Sequence, residues 1–237
     1  MRYTLFLLLA IIIIISCSNR SEQAYKEKII YSDTIQNVTL EDNAIQEYSF
    51  INDTTLLYLT GDFNGDGIED TLYEHYFSKT LNKEVPVPHS NGDIDLADSI
   101  IGKVYDLAPI SFMTCSNNKI DTLYFSNSSP LFGLYYIKNE GDLDGDGGDE
   151  ISFILAWADY STTNECYIIS YKKGRWVKLY SFPTWEWAAD EQMDKGGLIK
   201  KLSTNKIEVN YRTDEADQAT KIVDLSKLPK DTPLKTW

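Results

Sequence analysis

Short apolar runs alternate with polar, glycine-bearing turns from residue 56 to the end of this chain. The runs are Leu-Leu-Tyr-Leu at 56–59, Thr-Leu-Tyr-Glu-His-Tyr-Phe at 71–77, Leu-Tyr-Tyr-Ile at 134–137 and Ile-Ser-Phe-Ile-Leu-Ala-Trp at 151–157. Four more lie at 166–171, 176–180, 207–211 and 220–225. Runs of this length, rich in aromatic and β-branched residues, predict strands. The Lys-Lys-Gly-Arg connection at 172–175 predicts a short hairpin loop. The last pair of runs flanks an acidic stretch at 213–218. Only residues 188–195 have helical character, and residues 81–100, with Pro86 and Pro88, read as a turn-rich insertion. The expected fold is all-β: antiparallel hairpins arranged as a truncated propeller-like array or a β-sandwich.

Two of these hairpins are joined by acidic loops with one layout. The first runs Gly61-Asp62-Phe63-Asn64-Gly65-Asp66-Gly67-Ile68-Glu69-Asp70, the second Gly141-Asp142-Leu143-Asp144-Gly145-Asp146-Gly147-Gly148-Asp149-Glu150. Counted from the leading Asp, side-chain oxygens fall at positions 1, 3, 5 and 9, and glycine at 4 and 6. Such crowded carboxylates repel one another unless a cation sits among them, and an all-oxygen ligand set suits calcium. The side chains at 1, 3 and 5 converge as the chain wraps the ion. The carbonyl at 7 (Ile68, Gly148) points inward, and the carboxylate at 9 (Asp70, Glu150) closes the shell. Position 12 is Tyr73 or Phe153, so neither loop is an EF-hand, which needs Glu there. Four carboxylates at the ligand positions of the second loop (Asp142, Asp144, Asp146, Glu150) against three in the first (Asp62, Asp66, Asp70) predict the tighter site there.

Strand, nine-residue acidic loop, strand resembles the calcium loops of FG-GAP repeats, the blades of integrin-α-type propellers. The resemblance covers about twenty residues around each loop and is made specific by its recurrence. It implies two Ca²⁺ sites that staple hairpins and do not activate a substrate. The ligands it implies are Asp62, Asn64, Asp66, Ile68 and Asp70, and Asp142, Asp144, Asp146, Gly148 and Glu150. Glu150 departs from the usual Asp at the ninth position. The loops are 80 residues apart, more than one blade of ~40–50 residues, and the insertion at 81–100 accounts for the excess.

The longest apolar run is at the other end of the chain. Residues 5–15 are uninterruptedly apolar after Arg2, and Ile14-Ile15-Ser16-Cys17 resembles the lipobox of bacterial lipoproteins. Eleven residues are too few to span a ~30 Å hydrocarbon core and have the proportions of a signal h-region. A plain secretory signal and an uncleaved anchor are the alternatives. The favoured division is a signal at 1–16, lipidation at Cys17, a polar tether at 17–31 and a β-rich calcium-binding domain at 32–237. That assigns the chain to the bacterial cell envelope, anchored in a membrane. Ser18 after the cysteine favours the outer membrane where the cell has one.

Composition narrows the partners. A net charge of −14 argues against nucleic acid and anionic surfaces. With Cys17 as anchor, Cys115 and Cys166 remain, either as a disulfide or as two separate thiols. His75 and His89 belong to no catalytic motif, and no nucleophile elbow, P-loop or zinc signature occurs, so no catalytic residue is assigned. Trp157, Trp176, Trp185 and Trp187 are concentrated in one stretch. The last two are spaced to share a face of an extended segment, as a platform for a glycan or protein ligand. The leading expectation is a non-enzymatic binding or scaffold module. The runner-up is a secreted-type hydrolase of polysaccharide or peptide, recognisable by a deep acidic cleft beside Trp185 and Trp187.

Overall fold

Strand β1 (Tyr58–Gly61) enters the first acidic loop and β2 (Asp70–Ser78) leaves it, with Tyr58 opposite Tyr73 and Gly61 opposite Asp70. The computed structural model describes residues 57–85, 98–126, 130–159, 161, 163–193, 195–229 and 232–234. Cys17, the tether, His89 and most of the 81–100 insertion lie outside them. Strands β3 (Lys83–Glu84), β4 (Pro109–Cys115) and β5 (Leu123–Ser126) complete a sheet of order β1-β2-β4-β5, with β3 on the end of β2. A second sheet is built from β6 (Leu131–Gly141), β7 (Glu150–Trp157), β8 (Thr163–Lys172) and β9 (Arg175–Trp185). The third holds β10 (Ile199–Ser203), β11 (Lys206–Arg212) and β12 (Gln218–Asp224), and β13 (Thr232–Pro233) returns to the free edge of β9. Every pairing is antiparallel. The all-β expectation is met by three sheets, with no closed barrel or propeller among the described residues.

The second sheet is the middle layer. Side chains alternate across a strand, and along β7 and β8 both sets are buried. Ile151, Phe153, Leu155, Tyr167 and Ile169 pack with Leu72, Met113 and Phe125 of the first sheet. Ile154, Cys166 and Ile168 pack with Ile207, Val209 and Val223 of the third. A strand covered on both faces has no solvated positions to fill, and β7 accordingly reads as an almost unbroken apolar run. The two acidic loops therefore belong to adjacent layers despite their separation in sequence.

One expectation needs correction, and one open alternative is decided. Helix α1 (Asp98–Leu107) begins inside the stretch read as turns. Among the described side chains, Val104 anchors it against Phe132, Ala156 and Ala158; Ile100, Val104 and Leu107 fall at helical spacing in the sequence. Helix α2 (Glu186–Met193) occupies the stretch expected to be helical, starting two residues earlier. Cys115 and Cys166 are both free thiols. Cys166 faces the third sheet from β8, whereas Cys115, at the end of β4, packs against the core between the first two sheets. Alternation along the strands thus assigns them to different cores, and no disulfide joins them.

Candidate metal centre

In the first loop the side chains at positions 1, 3 and 5 curl onto the loop's own backbone. Asp62 accepts from Asp66 N at 3.0 Å and from Gly67 N at 2.8 Å, Asn64 accepts from Asp66 N at 3.1 Å, and Asp66 accepts from Ile68 N at 3.0 Å. These bonds require a reversal of the chain at the sixth position, where Gly67 has φ +81°. Asp70 closes the loop from the first residue of β2 and is almost fully buried, with Oδ2 lacking any hydrogen-bond partner. Burial raises its carboxyl above the ordinary aspartate value; the Asn117 side chain opposes this, and the charges of Asp66 and Asp62 add to it.

The second loop gathers its charges more closely. Carboxylate oxygens of Asp142, Asp144 and Asp146 all lie within 4.8 Å of one another. Glu150, fully buried at the start of β7, turns back into the loop and accepts from Leu143 N at 2.6 Å and Asp144 N at 3.3 Å. Burial pushes its carboxyl up to about 7, with Asp144 adding to the rise. The Ser170 hydroxyl counters that rise, although no donor meets Glu150 Oε1 with hydrogen-bonding geometry. A cation of the protein's own is also present: Lys172 Nζ donates to Asp144 Oδ2 and to Asp146 Oδ2, each at 2.5 Å. Burial lowers the Lys172 pKa, and the two carboxylates more than reverse this.

The residues fit a hard cation. Among the described residues seven buried side-chain polar atoms lack a hydrogen-bond partner, and three are Asp70 Oδ2, Asp144 Oδ1 and Glu150 Oε1. All three belong to positions assigned as ligands from spacing. Unpaired buried carboxylate oxygens are costly, and an oxygen-seeking divalent ion satisfies them. Ile68 and Gly148 have only main-chain oxygen to offer.

The loops lie against one another. Asp149 N donates to Asp62 O at 2.7 Å, and Asp62 N donates to Asp149 Oδ2 at 3.0 Å. Asn139 Nδ2 bonds the same Asp149 oxygen at 2.8 Å and Thr60 O at 2.9 Å. On its other side the second loop meets the β10–β11 turn: Asn205 N donates to Leu143 O at 2.8 Å and Asn205 Nδ2 to Asp144 O at 2.9 Å. Lys201 Nζ reaches Asp142 O. Loop, loop and turn thus form a hydrogen-bonded row across the three sheets. Comparison with known proteins finds no match. No family model, no curated protein and no solved structure corresponds to the chain.

Of Trp157, Trp176, Trp185 and Trp187, only the last two form a surface pair. The Trp185 and Trp187 rings stack with centroids 6.2 Å apart and planes 20° from parallel, and Trp187 is 44 % exposed. The segment is not extended throughout, because Trp185 ends β9 and Trp187 lies in α2. The Arg212 guanidinium lies over the Trp185 ring at 5.2 Å. Trp176 is a core residue, buried beside Phe63 and Tyr171 and donating to Asp121 O at 2.7 Å, so it is not a platform. Trp157 is half-buried against the same core. Two open hollows among the described residues, of about 290 and 160 Å³, are not lined by Trp185 or Trp187. The cleft expected of a hydrolase is therefore not one of them. His75 is held on both ring nitrogens, by Glu84 and Thr114 at 2.7 Å each, as a satisfied histidine is.

Sequence reasoning missed Lys172, Asp149, Asn139 and Asn205. Asp149 carries the one legible clue, as an extra carboxylate inside the loop at a position that is not a ligand. The others come from strands and a turn whose approach depends on tertiary packing.

Proposed function

We propose that this chain is a calcium-binding module of the bacterial cell envelope, lipid-anchored through Cys17, in which the metal is structural. The reading rests on one observation: the buried, unpartnered carboxylate oxygens of Asp70, Asp144 and Glu150 all occur at ligand positions of two loops that share one spacing. Calcium supplies the positive charge these loops need, and fixing both loops fixes the row they form across the sheets. The Trp185–Trp187 pair, with Arg212 over it, is the face offered to a glycan or protein ligand. The FG-GAP-like character of the loops belongs to the same proposal.

Calorimetry with the detergent-solubilised full chain tests it. Calcium should bind with dissociation constants no weaker than the ~10⁻⁴–10⁻³ M of extracellular modules, and Asp62→Ala and Asp142→Ala should each remove one site. No heat of binding at millimolar calcium ends the reading. Cys17→Ala tests the anchor separately, since it should abolish membrane fractionation of the mature protein. A variant that fractionates and migrates like the parent removes lipidation from the proposal.

A further inference from the structure

Lys172 divides the two loops into different kinds of site. It is the last residue of β8, opposite Arg175 across a two-residue turn, Lys173-Gly174, with φ of +53° and +78°. Positive φ at both central residues is the tight hairpin geometry that matches strand twist, so the base of the Lys172 side chain is set by the fold. Its side chain is 15 % exposed, as is that of Asp144, and the ammonium touches the third and fifth positions of the loop together. Among the described residues, no lysine or arginine pairs with any carboxylate of the first loop.

We propose that Lys172 is an internal cation that competes with calcium for the second loop, so that the first loop fills first and the second binds only as Lys172 is displaced. The inference rests on the calcium reading of both loops and deepens it. An ammonium and a divalent ion that share carboxylates at hydrogen-bonding distance repel one another strongly. The ion must therefore break two charge-assisted hydrogen bonds before it gains Asp144 and Asp146 in full. With Lys172 counted, the four ligand carboxylates of the second loop carry the same net charge as the three of the first. The tighter binding that carboxylate number predicts for the second loop is thereby cancelled, and displacement reverses the order. Glu150 Oε1, fully buried and unpartnered, is what keeps the second loop a site despite the lysine.

The test isolates the second loop with Asp62→Ala, or with Asp66→Asn should the first variant not fold, and compares Lys172, Lys172→Gln and Lys172→Arg in that background. Calcium is titrated calorimetrically into the full chain in detergent, and melting is followed in chelator. Lys172→Gln should bind calcium about tenfold tighter or more, the factor that one broken charge-assisted hydrogen bond carries. It should also melt lower than the parent in chelator, because Asp144 and Asp146 have lost the cation that pairs with them. Lys172→Arg should keep the weak binding and the parental melting in chelator. Equal or weaker calcium binding by Lys172→Gln overturns the proposal, as does unchanged melting in chelator. If no variant takes up calcium, the competition fails because the calcium reading has failed. A fall in chelator melting for Lys172→Gln then distinguishes that outcome from an error about the lysine contact.

Discussion

Asp149 and Asp62 are joined twice, once through main chain to main chain at 2.7 Å and once through the Asp149 carboxylate to Asp62 N at 3.0 Å. Asp62 leads the first loop and Asp149 is the eighth residue of the second, so each loop fixes the other's backbone. The first position of one site is held by a residue of the other that is not itself assigned as a ligand.

Asp149→Ala should therefore cost more than an average surface substitution. It leaves Asp62 N and Asn139 Nδ2 without their shared acceptor, a loss of about 1–3 kcal/mol where the donor is poorly solvated. Urea unfolding in chelator measures it. A change within a few tenths of a kcal/mol would show that the contact between the loops contributes nothing to stability.

Gly61 stands where this contact leaves no room. A Cβ there would lie 2.7 Å from Asp149 Oδ2 and 2.9 Å from Phe63 Cε1, and it would meet the Asn139 amide as well. Gly61→Ala should destabilise by about 1–3 kcal/mol through overpacking. Gly102, in α1, meets nothing within 4 Å, and Gly102→Ala should be neutral or stabilise by up to about 1 kcal/mol. Thermal melting of the pair separates a steric from a conformational role for glycine.

What the chain reveals before folding follows the range of the interaction. Strands beside both loops, the Lys173-Gly174 hairpin and the β11–β12 hairpin are local, since alternation and turn chemistry act over a few residues. The ligand spacing is local too. Whether Trp176 is a core or a ligand-binding aromatic is not legible locally, because its burial depends on a segment more than fifty residues away, to which it donates at Asp121 O. Lys172 is invisible for the same reason: nothing in the second loop's nine residues announces a lysine from the far end of β8. Helix α1 is obscured for a different reason: β-branched residues and a glycine lower its helix propensity, although Ile100, Val104 and Leu107 fall at helical spacing.

A structural metal stabilises by mass action, about 2.7 kcal/mol at a hundredfold excess over the dissociation constant. Asp62→Ala and Asp142→Ala should each lower the melting temperature in calcium and narrow the interval between calcium and chelator. The narrowing should be larger for Asp62→Ala, since among the described residues no lysine or arginine pairs with the first loop's carboxylates to be set against the metal. Normal melting with ligand binding abolished would instead assign the metal to ligand recognition and overturn its structural role.

The acidic surroundings of α2 set a pH dependence. Glu186, its first residue, accepts from Asn164 Nδ2 at 3.1 Å. Burial raises its carboxyl from 4.5 to about 7; Asn164 lowers it, and the charges of Asp159 and Asp190 add to the rise. Since the folded protein holds this proton more tightly than the unfolded chain, its contribution to stability is fully present below about pH 4.5. That contribution is lost as pH rises through about 7. Glu150 is raised into the same window, again chiefly by burial. In chelator the melting temperature should therefore carry a declining component between these values. Glu186→Gln, which cannot ionise and keeps an oxygen for Asn164, should make the decline shallower while leaving calcium affinity unchanged. An identical slope in parent and variant would mean that Glu186 titrates alike in the folded and unfolded chain, and that its burial beside Asp159 and Asp190 has no energetic consequence.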